Sequence, residues 1–198
     1  MSDRGSAADA RARLTAVMNR LGASLEASVA PDGRLLVDGV EIPPVAGVYP
    51  DWLLEAVVLR ALSPQHVLFL CVANSARSQL AEGIARTLAP PGVTVSSAGS
   101  EPTSVRPQAV ETLREIGIDI SGHTSTGTAD VGDGVDAVIT LCAEEVCPVW
   151  LGSAWRVHWG LPDPAGAGDS PEEELEAFRR IRDELRVRLG VLFGTLSP

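Results

Sequence analysis

The pattern of hydrophobic and polar residues changes near residue 64. Beyond that point, short apolar runs alternate with segments of helical periodicity. The runs that predict buried strands are 66–70, 93–98, 135–141 and 154–159. Apolar residues at three- and four-residue spacing predict helices over 78–89, 107–117 and 171–189. Alternating strands and helices are typical of a parallel sheet with helices on both faces, so we predict an α/β fold for this part.

The first 63 residues follow a different pattern. Apolar spacing predicts one helix over 7–30 and a second over 52–62, and alternation around Asp38-Gly39 predicts a small hairpin over 34–42. Ser63-Pro64 breaks the second helix. We therefore expect two domains: a small, mainly helical N-terminal module over residues 1–63, of unknown role, and a larger domain over residues 64–198.

Composition narrows the classes of function. The chain has 198 residues, is 45% hydrophobic and carries a net charge of −10, which argues against nucleic acid or an anionic membrane as a partner. Every basic residue is an arginine, so an anionic substrate must be held by local arginine charge. No apolar run reaches the ~20 residues of a membrane span. The N-terminus lacks the apolar core of a signal peptide, and we expect a cytoplasmic protein.

The clearest motif is the stretch CVANSARSQ, which starts at Cys71, directly after a predicted strand and before a predicted helix. Such a turn points backbone N–H groups and a helix N-terminus into one concavity, which suits a tetrahedral oxyanion. We expect the oxyanion-binding residues to be Val72, Ala73, Asn74, Ser75, Ala76, Arg77 and Ser78. The same environment favours a thiolate at Cys71, which would be the nucleophile, while Arg77 supplies a planar cationic fork. A buried, inert cysteine is the weaker interpretation.

Cys-x5-Arg-Ser after a first strand resembles the low-molecular-weight tyrosine phosphatase superfamily. Its thioredoxin-coupled arsenate reductase branch is similar to this chain across roughly residues 66–195. The resemblance implies a flavodoxin-like, four-stranded parallel sheet of order 2-1-3-4 and a catalytic role for residues 64–198. It also implies that arsenate is the substrate, that phosphate and sulfate compete with it, and that no cofactor is bound.

Two further cysteines, Cys142 and Cys147, follow the third predicted strand of the larger domain. In a sheet of order 2-1-3-4 this strand lies beside the one that ends at Cys71, so their loops share an edge. The resemblance implies a three-cysteine relay in which Cys71, Cys142 and Cys147 exchange disulfides and reduced thioredoxin supplies the electrons. The pair has four intervening residues, fewer than in the best-known members, and we expect their segment to change order with redox state. Half of a metal site is the weaker alternative, and we expect no metal there.

A general acid is expected in the stretch WGLPDPAGAGD. In the superfamily a mobile loop carries an Asp-Pro whose carboxylic acid protonates the leaving oxygen, and the resemblance places this role on Asp163. An aromatic residue typically follows Asp-Pro in the phosphatases. Ala165 follows here, which suits a small inorganic substrate.

Three functions stay open on sequence alone. The preferred one is arsenate reduction through the relay. The second is a phosphatase acting on aryl phosphates, which would not need Cys142 or Cys147. The third is a redox-sensing or anion-binding protein without turnover. Some family members bind potassium near the loop, and Asn74, Glu82 and Ser97 resemble the ligands of that ion. The remaining ligand in those members is a carboxylate, and Thr126 stands at its position here. We leave that ion open.

Overall fold

A computed structural model describes residues 6–143 and 148–194. The larger elements, in chain order, are α1 (Ala7–Leu21), β1 (Ala27–Val29), β2 (Leu35–Val37), β3 (Val40–Ile42), α2 (Asp51–Leu62), β4 (His66–Cys71), α3 (Arg77–Leu88), β5 (Thr94–Gly99), α4 (Pro107–Arg114), β6 (Ala137–Cys142), β7 (Trp155–Leu161) and α5 (Pro171–Leu192). No helix among the described residues is long and apolar enough to cross a membrane.

The chain divides into two compact units, residues 64–189 and residues 1–63 with 190–198. In the second of these units, α1 packs against α2 and against the antiparallel sheet β1-β2-β3. The predicted hairpin is present, with Asp38 and Gly39 at positive φ between β2 and β3, as a tight two-residue turn requires.

The prediction of one helix over residues 7–30 is wrong. α1 ends at Leu21 because Gly22 adopts a left-handed conformation, with φ of 69°, and the N–H of Ala23 bonds back to the carbonyl of Met18. Residues 27–29 then form β1, which pairs with β2. The apolar positions in this stretch fit both helical spacing and a strand, and only the glycine distinguishes them.

The unit of residues 64–189 is built on a four-stranded parallel sheet of order β5-β4-β6-β7. Numbered within this sheet, the order is 2-1-3-4, and the predicted fold class is confirmed. β4 is buried along nearly its whole length, which explains its uninterrupted apolar sequence. α3 packs on β4 and β5 and also contacts α4.

The sheet order brings two cysteine-bearing strand ends together. β4 ends at Cys71 and β6 ends at Cys142, and these two strands are direct parallel neighbours. Leu70 pairs with Thr140 in the sheet register. Cys71 and Cys142 come one and two residues later, so both lie at the same edge of the sheet. The carboxyl edge of adjacent parallel strands is the usual position of a ligand site in such folds.

An ion-pair cluster joins the end of α4 to α5. The guanidinium of Arg179 contacts both carboxylate oxygens of Glu115, the shortest at 2.5 Å, and Arg182 donates to the same carboxylate at 2.7 Å. The hydrogen bonds from Arg179, reinforced by Arg182, lower the pKa of Glu115 to about 2 against a smaller opposing effect of desolvation. The carboxylate is therefore charged at every physiological pH.

Candidate active site

The stretch from Cys71 to Ser78 forms a closed loop between the end of β4 and the first turn of α3. Its end residues, Cys71 and Arg77, are each only 3% exposed. α3 begins at Arg77, so the positive end of its dipole faces the loop. The structure therefore brings the predicted nucleophile, the predicted cation and a helix N-terminus to one place.

Hydrogen bonds on the outside of this loop determine which way its peptides face. Three loop carbonyls accept backbone N–H groups from the segment after β5: Val72 from Glu101 at 2.9 Å, Ala73 from Thr103 at 3.1 Å, and Ser75 from Arg106 at 2.9 Å. In a trans peptide the carbonyl and the following N–H point in opposite directions. The N–H groups that follow these carbonyls therefore face the concavity, where an oxyanion would need them.

Asn74 is the most heavily bonded residue of the loop. Its backbone is left-handed, with φ of 46°, and its carbonyl accepts hydrogen bonds from Ser125 Oγ at 2.7 Å and Gln79 Nε2 at 3.2 Å. Its side-chain amide donates to Ser78 Oγ and Ser97 Oγ, both at 2.8 Å. Asparagine is one of the few residues that tolerate this conformation, and here its side chain also offsets the cost.

Gly99, the last residue of β5, lies directly beneath the loop. A Cβ at this position would collide with the carbonyl oxygen of Val72 and lie 2.8 Å from the amide nitrogen of Asn74. Only glycine permits such a close approach of two backbones. The loop is thus supported from below by β5 as well as from its outer side.

The Cys71 thiol lies 2.9 Å from Ser78 Oγ. Ser78 Oγ accepts a hydrogen bond from Asn74, which leaves its single hydrogen available for the sulfur. A hydroxyl that donates to a thiolate stabilises the charged form. The structure therefore places the Ser78 hydroxyl where it can hydrogen-bond a thiolate at Cys71.

Arg77 connects the loop to the predicted acid. One terminal nitrogen donates to the carbonyl of Leu161 at 3.1 Å, and the other lies 3.2 Å from Asp163 Oδ2. The guanidinium is buried, whereas the Asp163 side chain is 43% exposed. Asp163 also accepts a hydrogen bond from the N–H of Ala165, as aspartate commonly does in a turn. The structure places Asp163 beside Arg77, the last residue of the oxyanion loop.

Cys142 is buried at the end of β6, where the pairing with β7 shifts register between Thr140 and Cys142. No disulfide joins Cys71 to Cys142 in this structure. Cys147 lies outside the described residues. Its pairing with Cys142 and the expected redox-dependent change of residues 142–147 therefore stay predictions.

Sequence reasoning missed the residues that hold the loop from outside, above all Gln79. This buried side chain donates to both oxygens of Asn74 and to the carbonyl of Thr124 at 3.2 Å, and its own oxygen lies 2.9 Å from His123 Nδ1. Burial lowers the pKa of His123, which favours the neutral imidazole. The position of Gln79, two residues after Arg77, was the only available sequence signal.

The residues that resemble a potassium site do lie together. Ser97 Oγ donates to Glu82 Oε2 at 2.5 Å and accepts from Asn74, while Glu82 also forms an ion pair with Arg86. Glu82 and Ser97 line a polar cavity of about 370 Å³, together with Arg86, His123 and Thr126. Among the residues that the structure describes, no group of three or more His, Cys, Asp or Glu is arranged to hold a metal ion.

A buried cysteine at the start of the loop, an arginine at its end and an aspartate beside it form a site that can hold a tetrahedral oxyanion next to a thiol, as in enzymes that act on such anions. Residues 66–197 match the model of the low molecular weight phosphotyrosine protein phosphatase family. The chain belongs to this family. The match covers both the loop and the acid, and it includes none of the first 63 residues.

Individual relatives point to one branch of the family. The chain is 45% identical to an arsenate reductase of Halalkalibacterium halodurans over 126 residues, which are 62% of this chain and 91% of that protein. It is similar to the crystal structure of an arsenate reductase from Archaeoglobus fulgidus, with a TM-score of 0.57, 28% identity, and coverage of 65% of this chain and 98% of the other. A solved arsenate reductase in its phosphate binding state matches with a TM-score of 0.51 and 34% identity, covering 67% of this chain and 99% of the other.

Proposed function

We propose that this protein is an arsenate reductase that uses Cys71, Cys142 and Cys147 in series and is recycled by reduced thioredoxin. The observation that carries the proposal is the second thiol, Cys142, at the end of the strand adjacent to the one that ends at Cys71. A hydrolytic reaction has no use for it, whereas reduction of arsenate requires two electrons that a pair of thiols can supply. The arsenate reductases among its relatives support the same assignment.

In the first step, arsenate binds in the loop formed by Val72, Ala73, Asn74, Ser75 and Ala76, with Arg77 holding two of its oxygens. The thiolate of Cys71 attacks arsenic, a sulfur–arsenic bond forms and one arsenic–oxygen bond breaks. Asp163 donates the proton that lets this oxygen leave as water. In the structure Asp163 Oδ2 lies 3.2 Å from Arg77, which keeps this side chain at the loop entrance. Because the side chain is 43% exposed, the carboxylate can take up a proton from solvent before it donates that proton to the leaving oxygen.

In the second step, the thiolate of Cys142 attacks the sulfur of Cys71. The sulfur–arsenic bond breaks, its electron pair stays on arsenic, and arsenite leaves with arsenic reduced from +5 to +3. A Cys71–Cys142 disulfide remains. Cys147 then attacks Cys142, which releases the Cys71 thiolate and leaves the oxidised pair Cys142–Cys147.

The reductant, the competing anions, the catalytic domain and the cellular location follow from this chemistry. Reduced thioredoxin would return two electrons to Cys142–Cys147, and phosphate and sulfate would compete with arsenate for the loop. We assign the chemistry to residues 64–198, since every described site residue lies between Cys71 and Asp163, and we assign no role to residues 1–63. A thiol relay needs a reducing compartment, so we place the protein in the cytoplasm.

Phosphatase activity is the second candidate. It rests on the family match and on the fact that loop, cysteine and acid are the parts needed to hydrolyse a phosphate monoester. The two functions differ in their use of Cys142 and Cys147. A phosphatase would keep its full rate after both are replaced by serine.

The experiment compares the two activities in wild type, Cys142→Ser and Cys147→Ser. Arsenate-dependent NADPH consumption is measured with thioredoxin and thioredoxin reductase, and hydrolysis of an aryl phosphate is measured on the same samples. We expect wild type to turn over arsenate and each serine variant to stop after at most one cycle. Hydrolysis at equal rates by all three proteins, with no arsenate-dependent oxidation, would show a phosphatase instead.

A further inference from the structure

Two large apolar side chains stand in solvent just after the third cysteine. Val149 is 72% exposed and Leu151 is 93% exposed, the two highest values for large hydrophobic residues in the described ranges. They follow Cys147 by two and four residues. Exposed apolar surface next to a functional group is typical of an interaction site.

Trp150, the residue between them, is packed against the protein, so the segment that carries Val149 and Leu151 is held in place. Trp150 is turned inward and packs against a buried cluster that includes Leu68, Leu70 and Val138, from strands β4 and β6. The indole anchors the segment to the sheet, and its two neighbours point the other way, into solvent. We call Val149 and Leu151 the outer pair.

The chain around the outer pair is mostly uncharged. All eight residues from Pro148 to Trp155 are uncharged, and the next residue, Arg156, donates to the carbonyl of Gly152 at 2.7 Å. The two exposed apolar side chains themselves are matched best by an apolar partner surface, because a charged partner group would lose its hydration on them without gaining a counter-charge.

We propose that the outer pair is the docking surface for the protein dithiol that reduces the relay. This inference rests on the proposed function, in which an external dithiol must attack the Cys142–Cys147 disulfide. The attacking sulfur has to approach to a bonding distance of about 2 Å. Val149 and Leu151 lie at most about 7 and 14 Å along the chain from Cys147, so a donor of protein size covers them in the same encounter.

The chemistry specifies the partner. It is a protein whose reactive cysteine pair is flanked by apolar surface that can cover Val149 and Leu151. Its first thiolate forms a mixed disulfide with one relay sulfur, and its second thiol displaces that sulfur. The donor leaves oxidised as a disulfide, and Cys142 and Cys147 leave as two thiols, so two electrons and two protons are transferred. Two side chains make a small contact, as suits a brief redox encounter.

The test separates docking from chemistry by using two electron donors. Arsenate reduction by wild type and by the double variant Val149→Ser/Leu151→Ser is driven either by thioredoxin or by dithiothreitol, which needs no docking surface. We expect the KM for thioredoxin to rise by about tenfold, as for the loss of a moderate interface anchor, and the dithiothreitol-driven rate to stay within about twofold. Val40→Ser, another exposed valine, is the matched control and should change neither value.

Each other outcome is informative. An unchanged KM for thioredoxin in the double variant, with wild type active, would overturn the docking surface and leave the proposed function intact. An equal fall with both donors would also overturn it, because the residues would then act on the relay itself. If wild type reduces no arsenate with either donor, the proposed function itself is wrong, and the docking surface is rejected with it. The single variant Leu151→Ser repeats the test with the smaller structural change.

Discussion

The oxyanion loop and the acid loop meet at Arg77, but they are held in very different ways. In the oxyanion loop, the carbonyls of Val72, Ala73, Asn74 and Ser75 are all bonded on the outer side, and Gly99 supports the loop from beneath. The acid loop is held by contacts of Asp163 and by short-range hydrogen bonds. The N–H groups of Gly166 and Asp169 bond to Glu174 and Glu173 at the start of α5, and the N–H of Ala167 bonds to the carbonyl of Pro164.

This difference follows from the two tasks. Binding and stabilising an oxyanion requires several N–H groups fixed before the substrate arrives, because their reorganisation would cost free energy during the reaction. Delivering a proton requires one carboxylic acid that can approach and withdraw. Changes in the first loop should therefore weaken binding and chemistry together, whereas changes in the second should lower the rate and preserve binding.

The largest expected effect is the loss of the nucleophile. Cys71→Ser should lower kcat/KM for arsenate by at least about 1,000-fold, since the proposed covalent adduct forms on the Cys71 sulfur inside the oxyanion loop. Phosphate affinity, measured by calorimetry, should change by less than about threefold, because the N–H groups of the loop are untouched. A large loss of phosphate affinity would show that the thiol itself maintains the loop.

Replacement of the acid should separate rate from binding. Asp163→Asn should lower kcat by about 100-fold or more, the usual contribution of a general acid, with phosphate affinity nearly unchanged. Asp169→Asn is the matched control, because Asp169 is an exposed aspartate further along the same Gly/Pro-rich stretch. A reduction in phosphate affinity as large as that in kcat would mean that Asp163 shapes the loop through Arg77.

Asn74 tests the preorganisation of the oxyanion loop. Asn74→Ala removes two donated and two accepted side-chain hydrogen bonds and leaves a non-glycine residue at positive φ. We expect phosphate affinity and kcat/KM to fall together by about 10-fold to 100-fold, for a loss of roughly 1–3 kcal/mol. Asn74→Gly keeps the backbone conformation accessible, so its difference from Asn74→Ala measures the backbone part. Equal phosphate affinity in wild type and both variants would contradict a preorganised loop.

The smallest effect on activity is expected at the ion-pair cluster of α4 and α5. Glu115→Gln should reduce the free energy of unfolding at pH 7 by about 1 kcal/mol, a modest value because the pair is partly exposed, and should leave kcat unchanged. The folded-state pKa of about 2 lies below the ordinary value of 4.5. The stabilisation is therefore present above about pH 4.5 and is lost as the pH falls towards 2. If wild type and Glu115→Gln have the same free energy of unfolding from pH 7 down to pH 2, the ion pair does not stabilise the fold.

The sheet and the loop were largely predictable because they depend on local patterns. The buried run that ends at Cys71 and the five-residue spacing to Arg77 place strand, turn and helix within a few residues. The outer hydrogen bonds were not predictable. Glu101, Thr103 and Ser125 reach the loop from 29 to 51 residues away, and two of them use backbone N–H groups that no sequence pattern marks.

The first 63 residues also show which features a sequence pattern predicts and which it does not. Its hairpin followed from Asp38-Gly39, yet β1 was missed, since three residues of a short edge strand carry too little periodicity to oppose a preceding helical pattern. The residue types at Asp38-Gly39 identified the turn, whereas β1 forms only because it pairs with β2.

Disulfide mapping after a single turnover tests the relay most directly. Fully reduced protein receives one equivalent of arsenate without any external reductant, is quenched with an alkylating reagent, and is digested for mass spectrometry. The proposed function predicts one equivalent of arsenite, a Cys142–Cys147 disulfide and an alkylated Cys71. Three alkylated cysteines and unreduced arsenate would contradict the relay and leave the chain with the first half of the chemistry alone.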